Sequence, residues 1–401
     1  MKKIIVILSI ITILTSCSDD TEQKIGISQG NNANNAECYT ISSDEASAIA
    51  LNMTSKHATL TRSKETDIIK DVYAWRSQEI WKNTQSTGSS IDSCLPDTIM
   101  YIVNFEENKG FALVAADKRI GDVIALIDTG HLTPEERIEN PGFRIFLDLL
   151  QSYCSRKVRE NSVRTMTRSG ESGYGEWEEI GRVNRFVLTS WYQTTPFNDQ
   201  CPTINGQHYL AGCGAIAAAQ IMAYHRMPLS HNDYYFLWDD INPGTDVPLT
   251  NAGEESAATL VHRIGVMQNM NYGLNGSGTT FQCIVNSFED MGYQYDISST
   301  SYDIYDIIDE LDDHYPILIT AFDFYAGGHA WVLDGYLLYA REIYGSTSTD
   351  PYEYQDYLHC NWGWGGTQDG FFLSPVFNIG SYNFNYNIKL LDGIRPGSAN
   401  V

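Results

Sequence analysis

From residue 41 onward, apolar and polar positions alternate in ways that separate helices from strands. Ile41-Ser42-Ser43-Asp44-Glu45 offers capping groups and an acidic first turn, and predicts a helix start. Two runs of β-branched and aromatic residues follow, Thr98 to Asn104 and Gly110 to Ala115, joined by the polar turn Glu106 to Lys109. They predict a pair of strands. Thr133-Pro134-Glu135-Glu136 reads as a second helix start, with the amphipathic stretch Phe143 to Cys154 continuing it or forming a further helix. These segments make a small α+β unit, residues 37–155. From Arg156 to Gly175 the apolar period is lost and the chain becomes basic, then rich in Ser and Gly, which predicts an exposed linker open to proteolysis over 156–175.

The rest, 176–401, reads as one larger domain. Helices are expected at 213–225, 257–270, 281–291 and 302–312, and strands at 317–324, 330–339, 357–361 and 371–373. Helices first and an antiparallel sheet afterwards is an α+β layout. No internal repeat of solenoid period is present.

The chain's first apolar run has a different meaning. Lys2 and Lys3 precede Ile4 to Thr15, 12 uncharged residues against the roughly 20 needed to span a bilayer. A charged n-region, a short apolar core and a small residue before Cys17 form a signal peptide, residues 1–16. Leu14-Thr15-Ser16-Cys17 resembles the bacterial lipobox, so Cys17 is the expected site of lipidation, with 17–36 as an Asn-rich flexible tether. An ordinary signal peptide with a chance Cys is the alternative. Either way the protein is expected to be exported, touching membrane only through its N-terminal anchor.

Charge sharpens the division of the chain. The net charge is −24, and residues 169–401 carry 28 acidic against 7 basic side chains, whereas 1–168 carry 22 against 19. Such a step marks two units with different surfaces, and the acidic excess argues against nucleic acid as a partner. The eight cysteines contain no CxxC pair, which disfavours zinc-ribbon and thioredoxin chemistry, and their spacing is too irregular for a disulfide framework.

The candidate chemistry begins at Cys213, in Gly212-Cys213-Gly214-Ala215. An Ala-rich helix former follows, so the Cys stands at a helix N-terminus, where the dipole and free N–H groups lower a thiol pKa. That window fits a small buried packing Cys equally well. His329, in Gly327-Gly328-His329-Ala330-Trp331, opens an apolar strand with room before it, as a general base facing a thiol requires. Cys360-Asn361-Trp362-Gly363-Trp364 follows, where an Asn side chain can fix an imidazole tautomer and an indole can cover the pair. Gln193 lies 20 residues before Cys213 and can donate to an oxyanion together with a backbone N–H. The order Gln, Cys, His, Asn is that of papain-like proteases, although papain's own signature around the Cys is absent.

These motifs resemble the streptopain family of bacterial papain-like cysteine peptidases, family C10. The resemblance runs through Gln193 with Pro196-Phe197-Asn198, Gly212-Cys213 with Ala217 to His225, Gly328-His329-Ala330, and Asn361 to Gly366 with Asp369-Gly370-Phe371-Phe372. It extends to Val103-Asn104-Phe105, Gly110-Phe111-Ala112 and Asp117-Lys118-Arg119 in the N-terminal unit. It implies an α+β papain-like fold and a cysteine endopeptidase made as a zymogen, with residues 37–155 as an inhibitory pro-domain and 176–401 as the protease. Cys213 is then the nucleophile, His329 the base and acid, and Gln193 the oxyanion donor, while Asn361 and Trp362 compete to hold the imidazole. Gly328 and the Gly/Ser loop carrying Ser277 are implied substrate contacts, although a plain helix connector also explains that loop. The implied partners are protein or peptide substrates and the chain's own pro-domain. Neither metal nor cofactor is required. Two other classes remain open on sequence: another Cys–His acyl-transfer enzyme, such as a peptidoglycan amidase or a transglutaminase-like protein, and a non-catalytic surface lipoprotein. The residues between Tyr339 and Tyr357 fall outside the closely matched part.

Overall fold

A computed structural model of the chain describes residues 39–56, 67–83, 95–167, 173–242, 249–296, 302–323, 327–346, 348–378 and 386–397. The leader, Cys17 and the tether lie outside them. The N-terminal part forms α1 (Ser43–Lys56), β1 (Ile69–Arg76), α2 (Ser77–Asn83), β2 (Thr98–Phe105), β3 (Phe111–Ala115), β4 (Val123–Ile127) and α3 (Pro141–Thr167). Then come β5 (Glu178–Val183), β6 (Thr203–Ile204), β7 (Gln207–His208), α4 (Cys213–His225), β8 (Ser230–His231), β9 (Tyr234–Tyr235), α5 (Trp238–Ile241), α6 (Asn251–Met267) and α7 (Phe281–Asp290). The C-terminal part holds β10 (Tyr293–Asp296), α8 (Ile304–Asp312), β11 (Ile317–Asp323), β12 (Gly327–Glu342), β13 (Tyr352–Asn361), β14 (Gly370–Leu373) and β15 (Tyr386–Pro396).

The large antiparallel sheet runs β1-β2-β3-β4-β14-β13-β12-β11-β15-β10, with β5 added to the second half of β12. Strands of the N-terminal unit and of the larger domain thus share one sheet. They join where β4 meets β14, in the register Ala125↔Phe372, Leu126↔Phe371, Ile127↔Gly370.

Alternation along the central strands builds two cores, because successive side chains point to opposite faces. Ile317, Ile319 and Ala321 of β11 and Trp331 and Leu333 of β12 pack in one core with Phe143, Phe146 and Leu150 of α3. Leu318, Ala330 and Val332 pack in the other with the Ala-rich face of α4 and with α6 and α7. The sheet therefore separates α3 from α4, and β12 presents residues to both.

The structure corrects two expectations in the N-terminal unit. Thr133 to Glu136 forms a turn, and the helix starts at Pro141 instead. Pro suits a first helical position, and Asn140 Oδ1 accepts the N–H groups of Gly142 (3.0 Å) and Phe143 (3.2 Å) as the cap. The helix then continues through Arg156 to Thr167, into the stretch read as linker. Leu150, Cys154 and Val158 keep an i, i+4 stripe in the core, which the dense basic residues around Val158 conceal. The strands are also longer than expected. β12 and β13 pair as far as Glu342↔Tyr352, making the Tyr339–Tyr357 excursion a hairpin. Its edge is bonded to the start of the larger domain, Gly175 N to Glu342 O (2.8 Å) and Tyr344 N to Gly173 O (2.9 Å).

Candidate active site

Cys213 opens α4, and Gly212 before it has φ 94°. That is a conformation glycine adopts without strain, and a Cβ there would strike Met270 Cε at 2.6 Å. The Ala330 N–H on β12 favours the ionised thiol, and α4 shares its core with the strand that carries His329. The segment with Gln193 runs alongside: Ala211 N–H donates to Gln193 O (3.0 Å), and Gln193 is buried. Cys213, His329 and Gln193 therefore come from three segments brought together, α4 and β12 by their shared core and the Gln193 segment by a backbone hydrogen bond.

His329 is held through one of its ring nitrogens. Its Nε2 lies 2.8 Å from Trp362 O, its ring stacks near Trp331 at 6.2 Å between centroids, and no hydrogen bond joins it to Cys213. Burial, helped by the charge of Arg144 and opposed by the bond to Trp362 O, holds its pKa down to about 4. Burial likewise pushes the Cys213 thiol up, outweighing the N–H groups of Ala330, Gly214 and Cys213 itself. The lowered thiol pKa expected from the helix terminus is thus absent in this state, because desolvation exceeds the dipole. Thiol and imidazole are both neutral, with no hydrogen bond between them.

The N-terminus of α3 packs on the loop that holds the ring. Gly142 abuts Trp362 so closely that a Cβ would lie 2.2 Å from the indole Cε3. Asn140 Nδ2 donates to Thr367 O (2.7 Å). The 362–369 loop is held from the other side by Asp369, whose Oδ1 accepts the Trp362 N–H (2.9 Å).

Of the two rivals for holding the imidazole, Trp362 does so here, through its carbonyl. Asn361 is engaged elsewhere: Oδ1 accepts Gln220 Nε2 (3.1 Å) and Gly363 N (3.1 Å), and Nδ2 donates to Thr189 O (2.7 Å). Ser277 Oγ donates to Leu210 O (2.6 Å) and accepts Gly273 N–H (3.0 Å), so its hydroxyl braces the loop beside the strand entering Cys213. Gly328 is exposed at the start of β12.

Gln220 was not singled out from sequence. It is fully buried in α4, its Oε1 accepting the Trp191 N–H (3.1 Å) while Nε2 reaches Asn361. The signal was available: it is the one polar residue between Ala215 and Ala223, and a buried amide must find partners. Asn140, Gly142 and Asp369 gave no such sign, since their roles depend on contacts distant in sequence.

Known proteins share both halves of this arrangement. Residues 191–372 match the Peptidase C10 family and residues 39–154 match the Spi protease inhibitor family. Streptopain of Streptococcus pyogenes is 25% identical over 352 residues, covering 74% of this chain and 81% of streptopain. The thiol protease/hemagglutinin PrtT of Porphyromonas gingivalis is 24% identical over 388 residues, covering 84% of this chain and 42% of PrtT. A fragment of Prevotella intermedia prointerpain A has the same fold, with a TM-score of 0.54 at 22% identity over 75% of this chain and 97% of the fragment. The α+β papain-like architecture, the Cys–His pair at the meeting of helix and strand, and the inhibitor-like unit against it are thus explained together: residues 191–372 form a cysteine endopeptidase domain of the Peptidase C10, or streptopain, family, preceded by a Spi-type inhibitor domain.

Proposed function

We propose that Cys213 is the nucleophile of an exported endopeptidase and that the described state is its latent zymogen. The observation that carries this reading is the position of Cys213 at the start of α4 against Ala330, one residue from His329. With Nε2 held by Trp362 O, His329 takes the thiol proton on its other ring nitrogen once the pro-domain has left. The thiolate attacks a substrate peptide carbonyl, with Gln193 and the Cys213 N–H donating to the oxyanion. The C–N bond breaks as the imidazolium protonates the leaving amine, and a water deprotonated by His329 then releases the acyl group from sulfur. Gly328 and the loop of Ser277 flank the peptide, the loop through its backbone because its hydroxyl is in use.

Residues 39–167 act as the pro-domain. Asn140 and Gly142 pack on the Trp362 loop that holds His329, so the pro-domain sits directly against the site. Activation cleavage then falls after α3 ends at Thr167 and before Gly173 enters the sheet edge, within the 156–175 interval expected from sequence. Protein substrates and the pro-domain are the partners. Export through residues 1–16 and lipidation of Cys17 complete the reading, so cleavage separates the protease from its anchor.

The test is a Cys213→Ala chain made beside the wild type, with N-terminal sequencing of both. The wild type is expected to shorten and to cleave casein, and the variant to stay full length and inactive. An alanine variant that still cleaves would remove Cys213 from the mechanism.

A further inference from the structure

Where β4 leaves β14, the strand bonding gives way to a buried cluster of charges that the cysteine chemistry does not use. Asp128 N–H donates to Asp369 O (2.9 Å), and the Asp128 carboxylate turns toward the larger domain. Its Oδ2 lies 3.2 Å from His359 Nε2 and 3.7 Å from Arg185 Nε. The other ring nitrogen of His359 faces Asp334 Oδ1 at 2.5 Å, and Asp334 Oδ2 accepts the Val187 N–H (2.9 Å). Asp128, Asp334 and His359 are each at most 5% exposed, and the Arg185 side chain 13%. Burial disfavours charge on His359, but Asp334 and Asp128 outweigh it and raise its pKa to about 10. Two cations therefore face two anions, and three of the four groups belong to the larger domain.

We propose that Arg185 and His359, oriented by Asp334, form a carboxylate socket at the end of the β14 edge. The socket takes an extended apolar strand followed by an aspartate, and its occupant is Ile124-Ala125-Leu126-Ile127-Asp128 of the pro-domain. The edge of β14 offers backbone groups that any strand can pair with, so pairing alone does not choose a partner or a register. The socket does. Without the Asp128 carboxylate, Arg185 loses its ion-pair partner and His359 keeps only Asp334, and an uncompensated buried charge is strongly unfavourable. A slip of one residue would bring Ile127 or Thr129 to the cations and turn the apolar side chains to the wrong face. The β4–β14 junction is also tied to the His329 site, because Asp369 bonds both Asp128 N–H and Trp362 N–H.

This rests on the reading of residues 39–167 as an inhibitory pro-domain, and the test separates the two. Full-length wild type, Asp128→Asn and Arg185→Met chains are treated with a peptide epoxide, and labelling of Cys213 is timed in the uncleaved band. Both variants are expected to be labelled at least about tenfold faster than wild type. The mature enzyme from Asp128→Asn should match wild type in kcat/KM, since residue 128 departs with the pro-domain. Circular dichroism melts show which variants fold, and either folded variant decides the matter. Labelling at the wild-type rate by a folded variant would overturn the socket. Uncleaved wild type labelled as fast as mature enzyme would instead overturn the pro-domain reading.

Discussion

His329 Nε2 is 2.8 Å from Trp362 O, and the indole of Trp362 is in turn covered by Gly142 of α3. The loop that holds the imidazole thus packs directly against the N-terminal unit. The first prediction concerns that packing. A Gly142→Val chain has no room for its side chain against the indole, and overpacking of this kind costs about 1–3 kcal/mol. The strain is relieved if α3 lifts from Trp362. The uncleaved variant should process itself about tenfold faster than wild type, followed by gel time course. Equal rates would mean that the loop, not α3, sets the position of Trp362.

The second prediction is a pH dependence. Burial, with Arg144 adding to it, holds His329 at about 4 against an ordinary 6.5. A ring opened to solvent takes up a proton as pH falls through 6.5, while the buried ring does so only near 4. Between those values acid favours opening of the site. The closed state has its full stability above pH 6.5 and loses about 3 kcal/mol by pH 4, at about 1.4 kcal/mol per unit. In the full-length Cys213→Ala chain, the His329 ring proton followed by NMR should titrate near pH 4. A midpoint at 6.5 would show the ring already free.

Gln220 supports the third. Its amide joins Trp191 N–H, next to Tyr192 and Gln193, to Asn361 Oδ1 beside Trp362. Gln220→Leu keeps the helix but leaves the Trp191 N–H without its acceptor, at about 1–3 kcal/mol, and takes one of two donors from Asn361 Oδ1. The melting temperature should fall. In the mature enzyme kcat should drop about tenfold with KM little changed, because the two sides of the site lose their common brace while the substrate loop does not. Loss in KM alone would place Gln220 outside the positioning of these groups.

Much of the site could be read from the chain. Cys213 before an Ala-rich run and His329 before an apolar strand carry local signals, and helix and strand occur where those signals place them. What the sequence did not reveal is relational. Val158 continues the buried stripe of α3 among charges that read as linker, because a buried apolar residue every fourth position outweighs polar neighbours on the solvent face. Tyr386–Pro396 has no strong strand pattern, yet pairs β11 and β10 as a central strand. The engagement of Asn361 with Gln220 depends on residues 141 positions apart. Local periodicity cannot encode contacts of that kind.

Asp369 supplies the last prediction. It is 1% exposed, and Oδ1 accepts the Trp362 N–H while Oδ2 has no hydrogen-bond partner. Burial raises its pKa from the usual 3.8 to about 7, against the pull of the Trp362 N–H and of His359. The folded chain therefore holds a proton that the unfolded chain releases. Stability conferred by that proton is intact below pH 3.8, declines as pH rises toward 7, and is gone above it. Asp369→Asn keeps an acceptor for the Trp362 N–H and never carries the charge. In the full-length Cys213→Ala background, the Asn variant should melt with its parent at pH 4 and be more stable at pH 8. The gap should reach at most about 4 kcal/mol, at about 1.4 kcal/mol per unit. A variant less stable at both pH values would mean that the charged carboxylate is needed beside His359 and Arg185, and that Asp369 belongs with the ionised groups of the β4–β14 junction.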